Sequence, residues 1–213
     1  MRAGFLKTTE AAVAAGVALR DVNHVIDEGV LPAAFVRVGA GRQVAPAACL
    51  FIAFYVESAE QLTAKERRIL IRTASTRFSD WTRKPIRASA EDCIVRHKFV
   101  AVDFAPLRQA VGKRLEQLDA AKDLVQSSDD ILSGTPVIRG TRIPVHDVAA
   151  SVEAGLPKAR LLAAYPSLDA NKIELAALYA RANPPRGRPR AVGMPRGAVV
   201  RTDRRIARRT GAG

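Results

Sequence analysis

The sequence is poor in the residues that build disulfide scaffolds, metal centres and catalytic sites. It has two cysteines, Cys49 and Cys93, and three histidines in 213 residues. The cysteines are far apart and lack metal-ligand spacing, so neither a disulfide framework nor a zinc site is expected. Because the histidines are scattered and no nucleophile motif or glycine-rich phosphate loop is present, we expect no enzyme activity, no metal and no cofactor.

A long apolar run is also missing. The longest apolar stretch, around Ala45–Val56, has the length of a core helix and falls short of the roughly 18 residues that a membrane helix needs. The first ten residues, MRAGFLKTTE, lack the continuous apolar segment of a signal peptide. We therefore expect a reduced, cytoplasmic protein that makes no membrane contact.

Positive charge, in contrast, is abundant and unevenly distributed. The formal net charge is +13. Residues 1–60 hold 5 basic and 6 acidic side chains, residues 61–126 hold 14 and 8, residues 127–180 hold 5 and 6, and residues 181–213 hold 10 and 1. The excess lies in a connecting region and a C-terminal tail, and it favours a polyanionic partner, either nucleic acid or an acidic protein face.

Residues 1–56 have the element order of a winged helix-turn-helix. Thr8 or Thr9 is expected to cap a first helix that ends at Gly16. A second helix is predicted from Leu19 to Glu28, with apolar residues at helical spacing, and FVRVGAGRQV is typical of a hairpin. In this order, and in the phrase TTEAAVAAGVALRDV, the unit resembles the MerR-like group of DNA-binding proteins.

Such a unit places its second helix in the major groove of DNA. We expect six side chains of the helix and the wing to contact operator DNA, namely Arg20, Asn23, His24, Arg37, Arg42 and Gln43. The alternative is a small helical domain whose polar face is only solvated. The near-neutral charge of residues 1–60 counts in its favour, because DNA affinity usually needs several neutralised phosphates.

Residues 57–126 form a predicted connector. Thr63 and Glu66 have the spacing of a capping box, Trp81–Arg87 is a basic loop, and CIVRHKFVAVDF predicts one or two strands. APLRQAVGKRLEQLDAAKDLV predicts a long amphipathic helix. Its apolar stripe packs either within the chain or on a second copy, and on that basis we expect a homodimer, with intrachain packing left open.

Residues 127–182 predict three short helices after a β-like turn, in the manner of a trihelical, homeodomain-like unit. The turn is centred on Gly140, and Pro144 suits a sheet edge. Pro157 opens one helix and Asp169 caps the last. For Arg139 and Arg142 we favour a structural role, with the guanidinium groups bonded to carbonyls, over direct ligand contact.

Two stretches of this unit, GTPVIRGTRIPVHDV and EAGLPKARLLAAYPSLDANKIELAALYA, resemble the domain-of-unknown-function family 433 (DUF433) over about residues 128–182. The residues that carry the resemblance in the turn are Pro136, Arg139, Gly140, Thr141, Arg142 and Pro144. Members of that family are commonly VapB-type antitoxins paired with a PIN-domain ribonuclease toxin. Since the sequence has no PIN-type carboxylate cluster, the resemblance implies that this chain is the antitoxin.

Residues 183–213 are rich in arginine, proline and glycine and poor in apolar residues, so we expect a tail that is disordered when free. The resemblance implies that it enters the acidic metal site of the toxin through Arg186, Arg188, Arg190, Arg196, Arg201, Arg204 and Arg205. Two alternatives stay open. Residues 185–189, PRGRP, have the core of an AT-hook for the DNA minor groove, and a simply solvated tail is the third interpretation.

The sequence thus predicts a mainly α-helical protein with short β elements, a winged helix-turn-helix, a strand and long-helix connector, a trihelical unit and a basic tail. We expect an antitoxin that neutralises a PIN-type ribonuclease and binds operator DNA to regulate its own operon. A free-standing transcriptional regulator is the alternative.

Overall fold

A computed structural model describes residues 4–39, 41–77 and 93–185. The predicted basic loop Trp81–Arg87 and most of the predicted tail lie outside these residues. Within them the fold is mainly helical with a few short strands. The N-terminal elements are β1 (Leu6–Lys7), α1 (Thr8–Ala15), α2 (Leu19–Asp27), β2 (Val36–Val38), β3 (Arg42–Val44), α3 (Ala48–Glu57) and α4 (Ala64–Arg77).

The remaining elements follow residues 78–92, which are not described. They are β4 (Ile94–His97), β5 (Val100–Asp103), α5 (Ala105–Leu124), β6 (Val125–Gln126), β7 (Val137–Ile138), α6 (Val145–Glu153), α7 (Lys158–Ala164) and α8 (Ala170–Ala182). None of the helices in the described ranges combines the length and the apolar character that crossing a membrane requires.

The predicted hairpin is present and belongs to a three-stranded antiparallel sheet of order β1-β3-β2. Leu6, Val44 and Val36 are paired across the strands and face the core. The next row, Lys7, Gln43 and Arg37, is exposed, as the alternation of side chains along a strand requires. The sequence prediction missed β1, because a strand of two residues has no visible periodicity.

The first helix ends as predicted but begins differently. Gly16 has φ of 75°, in the left-handed region that favours glycine at a helix end. Neither threonine caps the start of α1. Instead, the Lys7 N–H donates to the Glu10 carboxylate at 2.9 Å, and the Thr9 hydroxyl donates to the Ala182 carbonyl at 2.7 Å. The predicted threonine cap is therefore wrong, because a distant helix end uses the Thr9 hydroxyl.

α3 is the centre of the larger core. It is apolar on all sides, and every residue from Ala48 to Tyr55 is buried, as expected for a helix without a polar face. The Phe51 ring lies 5.5 Å from Phe35, and the Phe54 ring lies 4.8 Å from Phe104. These contacts join the hairpin unit to the start of α5.

The long helix α5 uses its apolar stripe within the chain. Val111, Leu115 and Leu118 are buried in the same core as α3. Of the two alternatives for the apolar stripe of α5, packing within the chain is the one observed. The homodimer stays a prediction, and its interface would have to lie on a different surface of the protein.

The C-terminal unit has its own smaller core, formed by Val125, Ile138, Val145, Val148, Leu161, Leu168, Ile173 and Ala176. α6, α7 and α8 supply most of it. Asp169 caps α8 as predicted, since its carboxylate accepts from the Lys172 N–H at 2.7 Å. β7 pairs with β6, at the end of α5, and the segment after the turn makes only an isolated bridge between Val137 and Pro144.

α8 connects the two cores. Its residues Ile173 and Ala176 belong to the C-terminal core, whereas Ala182 lies in the N-terminal core. At the end of α8, Asn183 accepts a hydrogen bond from the Lys7 ammonium at 3.1 Å. The end of α8 thus lies beside β1.

Candidate nucleic-acid interface

The predicted recognition helix, α2, is amphipathic. Val22 and Val25 are buried in the core, and the opposite side carries the polar residues. The Arg20 side chain is 89% exposed and the His24 side chain 60% exposed, while Asn23 is half-buried. Three of the six predicted DNA-contacting residues therefore lie on one helix, with two of them open to solvent.

The hairpin is fixed to this helix by charge. Arg42, in β3, forms an ion pair with Asp27 at 2.8 Å, at the C-terminal end of α2. Arg37 is exposed and stacks on the Phe5 ring, with 3.7 Å between its guanidinium carbon and the ring centroid. The hairpin and α2 thus hold a set orientation, but Asp27 already neutralises part of the Arg42 charge.

The outward row of the sheet contains the remaining predicted residue. Gln43 is exposed between Lys7 and Arg37, its direct cross-strand neighbours. Two of the three side chains in this row are cationic. Sequence reasoning missed Lys7, because its placement depends on the pairing of β1 with β3. The row offers one hydrogen-bonding amide and two cations on a single surface.

Glu28, just beyond α2, forms a cluster that the sequence did not indicate. Its carboxylate accepts from the Arg68 guanidinium at 2.7 Å and from the Tyr55 hydroxyl at 3.0 Å. Both hydrogen bonds stabilise the charged carboxylate, the bond from Arg68 more than the bond from Tyr55, and they hold the pKa of the Glu28 carboxyl below its usual value. His24 lies 3.4 Å from the same carboxylate. The cluster fixes the end of α2 against α3 and α4, with partners 27 and 40 residues away in sequence.

The surface around α2 therefore carries mixed charge. Arg20, His24, Arg37 and Lys7 are accompanied by Asp21, whose carboxylate lies 3.6 Å from Arg20, and by Asp27 and Glu28. Acidic neighbours reduce the non-specific attraction to phosphate, which rises with the number of cations. Such a surface suits hydrogen bonding to a particular site better than general adhesion to DNA.

The DUF433-like turn is held together by its own backbone and side chains. Arg139 donates from Nε to the Asp123 carbonyl at 2.8 Å, the type of bond that its structural interpretation predicts. Thr141 donates to the Ile138 carbonyl at 2.8 Å and accepts from the Ile143 N–H at 3.1 Å. Gly140 has φ of 76°, and Arg142 is exposed.

The two prolines of this turn lie at its ends. The Pro136 carbonyl accepts from the Val145 N–H at 3.0 Å, and Pro144 immediately precedes α6. The predicted toxin-contacting arginines, Arg186 to Arg205, lie outside the described residues. Across the described ranges, no group of three or more His, Cys, Asp or Glu side chains is arranged to hold a metal ion.

Comparison with known proteins defines the class of the chain first. Residues 125–180 match the family described as "Protein of unknown function (DUF433)". The matched segment runs from β6 into α8 and includes the whole turn described above. The chain is thus a mainly helical protein with a C-terminal DUF433 domain.

A relative covers the whole length. "Uncharacterized protein y4eO" from Sinorhizobium fredii is 53% identical over 213 residues, which is 99% of this chain and 96% of the relative. The chain belongs to the same family as that protein. No solved structure matches it.

Proposed function

We propose that this protein is a DNA-binding antitoxin. In this proposal, α2 enters the major groove and the β2–β3 hairpin lies along the backbone as a wing. The observation that carries the DNA-binding part is the amphipathic α2, which buries Val22 and Val25 and exposes Arg20 and His24. A helix with this division, followed directly by a hairpin held to its end, has the form that major-groove readers share.

The proposed roles differ among five of the six side chains. Arg20, in the first turn of α2, is the proposed base-reading or phosphate contact, with His24 one turn later. Arg37 and Gln43 are proposed to contact phosphate from the sheet. Arg42 is proposed to orient the wing, because its 2.8 Å ion pair with Asp27 engages its guanidinium.

The antitoxin part is supported by the DUF433 match and by the composition of the tail. Residues 181–213 hold 10 basic side chains against 1 acidic side chain. An arginine-rich segment can form paired hydrogen bonds with the clustered carboxylates of a metal-dependent ribonuclease. The protein would act by occupying that site and would itself catalyse no reaction. A homodimer is part of the proposal.

A free-standing DNA-binding regulator is the second candidate, and one observation favours it. The tail departs from Asn183, which is hydrogen-bonded to Lys7 at 3.1 Å. Lys7 belongs to the outward row of the proposed DNA-binding sheet. A tail that starts there can follow the same DNA molecule and place its AT-hook-like core in the minor groove.

DNA binding is tested by titrating the full chain with the DNA upstream of its own gene. We expect Arg20→Ala to weaken binding about tenfold, in the range found for single base or phosphate contacts. Arg160→Ala, at an exposed position in α7, removes the same charge away from the proposed interface and should bind like the unchanged chain. Equal binding of Arg20→Ala and the unchanged chain would exclude α2 as the reading helix.

The antitoxin part is tested by purifying the tagged chain from its native cells and identifying what accompanies it. A stoichiometric small nuclease that is lost on deletion of residues 183–213 supports inhibition through the tail. A nuclease that the truncated chain retains moves the main contact to the DUF433 unit. If only DNA fragments co-purify, the antitoxin proposal fails and the free-standing regulator takes its place.

A further inference from the structure

Two adjoining grooves run along the exposed side of α8. One, of about 660 Å³, lies between α8 and the α6–α7 turn, and the other, of about 580 Å³, lies between α8, α1 and α5. Gln117, Leu178 and Arg181 line both grooves. The exposed side of α8 is therefore a ridge with a groove on each flank.

The ridge has a defined composition. Asn171, Glu174, Ala177, Leu178 and Arg181 follow one another at spacings that place them on one face of the helix. All five are exposed or half-buried. Beside the ridge, Leu156 is 40% exposed at one end and Leu19 is 41% exposed at the other. The middle of this surface is thus apolar and partly exposed to solvent.

The charges of this face separate along α8. Glu174 lies toward the end that carries Glu153 and also Lys158, whose ammonium is 2.5 Å from the Glu174 carboxylate, and Arg181 lies toward the end that carries Arg114. The two residues are seven positions apart, which is about two helical turns, or roughly 10 Å. Their midpoint falls between Ala177 and Leu178. Opposite charges at equal distances from an apolar midpoint make the face complementary to itself.

We propose that this face binds a second copy of the chain, with the two α8 helices antiparallel about a twofold axis at Ala177 and Leu178. Each Glu174 then faces Arg181 of the other copy, and the two Leu178 side chains meet at the axis. The small Ala177 allows the helices to approach closely. This inference rests on the homodimer of the proposed function, but it uses neither the α2 surface nor the tail.

The geometry also explains why α5 is not the dimer helix. Its apolar stripe is buried within the chain, whereas the ridge of α8 is open. A twofold interface needs an accessible, self-complementary surface, which the ridge of α8 offers and the buried stripe of α5 does not.

The test is the mass of the full chain in solution, measured without DNA by sedimentation equilibrium over a range of concentrations. We expect twice the 22.9 kDa of one chain. Glu174→Arg and Arg181→Glu should each raise the dimer dissociation constant by at least about tenfold, because each places two pairs of like charges at the interface. The double variant, which exchanges the charges, should return to within about threefold of the unchanged chain.

Lys158→Ala is the matched control. It removes the ion pair that Glu174 makes within its own chain, at 2.5 Å, without altering the Glu174–Arg181 contact between copies. Because Lys158 no longer competes for the Glu174 carboxylate, the dimer of this variant should be at least as tight as that of the unchanged chain. Leu178→Glu should be monomeric, and circular dichroism should show that its helix content is retained.

Three results would overturn the proposal. The first is an unchanged chain that stays monomeric up to about 100 µM, a concentration at which any physiologically useful dimer would form. The second is a dimer that none of the substitutions weakens, and the third is a double variant as weak as the single ones. The sedimentation assay contains no DNA, so its outcome does not depend on the DNA-binding proposal. A chain that dimerises as expected, but fails to bind DNA in the titration described above, would refute the DNA-binding proposal alone.

Discussion

Glu10 provides a direct test of how α1 is joined to α5. It is a buried carboxylate in the first turn of α1, only 5% exposed. It accepts the Lys7 N–H at 2.9 Å and forms an ion pair with Lys122, near the end of α5, also at 2.9 Å. Glu10→Ala thus removes both a helix cap and a long-range ion pair.

The expected cost follows from what is left behind. Removing one partner of a buried ion pair costs about 3–5 kcal/mol when the other partner stays buried. The Lys122 side chain is 23% exposed and can partly turn to solvent, so we expect about 2 kcal/mol for Glu10→Gln, which keeps an oxygen acceptor for the Lys7 N–H. Glu10→Ala also loses that hydrogen bond, worth about 1 kcal/mol, and should cost about 3 kcal/mol.

The assay is urea unfolding followed by circular dichroism, with the free energy of unfolding extrapolated to water. Lys122→Met completes a double-mutant cycle, in which a coupling energy of about 1–2 kcal/mol with Glu10→Gln is expected. Glu57→Gln, at an exposed site, should change the stability by less than about 0.5 kcal/mol. Losses below that size for both Glu10 variants, or no measurable coupling, would falsify the reasoning, since the pair would then be no stronger than a surface contact.

Four further measurements test the core and the turns. Burial raises the pKa of the Cys49 thiol from 9.0 to about 12, so a disulfide-exchange reagent at pH 8 should label Cys49 only after unfolding. The Cys49 thiol keeps its proton to a higher pH in the folded chain than in the unfolded chain, so the free energy of unfolding should fall as pH rises from about 9 toward 12. An unchanged free energy of unfolding over that range would contradict the burial of Cys49. Gly16→Ala should cost about 1–2 kcal/mol, since φ is 75° and the new Cβ would lie 2.6 Å from the Arg114 guanidinium; Gly41→Ala, with open space around its Cβ, is the control in the same urea assay. Phe104→Ala should cost about 3–5 kcal/mol by leaving a cavity between α3 and α5, and a loss below about 1 kcal/mol would show that the ring contacts with Phe51 and Phe54 do not hold the core.

The features predicted well from the sequence are those whose causes lie within a few residues. Gly16 and Gly29 end helices with positive φ, and Thr63 with Glu66 forms the predicted capping box, with bonds of 2.9 and 3.3 Å. The Asp169 cap is of the same kind. In each case one side chain, or the absence of a Cβ, determines the local backbone conformation. A sequence pattern of a few residues is therefore enough to predict it.

The features that were missed depend on residues far apart in sequence. Thr9 was expected to cap its own helix, but it bonds to Ala182, 173 positions later. Glu28 has the pattern of an ordinary surface residue until α3 and α4 fold against it. The apolar stripe of α5 was visible, yet only the fold decides whether its own chain or a second copy covers it. When a side chain has several candidate partners, tertiary packing decides among them, and the local sequence pattern around that side chain does not reveal the outcome.

The contacts at the end of α8 also bear on how the proposed activities are related. Thr9 and Lys7, at the start of the proposed DNA-binding unit, bond to Ala182 and Asn183, where the DUF433 domain passes into the tail. A partner that shifts the end of α8 therefore acts directly on α1, which packs against α2. By thermodynamic linkage, any effect of a tail-bound partner on DNA affinity must equal the effect of DNA on the affinity for that partner. If the antitoxin proposal holds, Thr9→Val should reduce that coupling and leave each separate affinity nearly unchanged, because the Thr9 hydroxyl lies at the junction and in neither proposed contact surface.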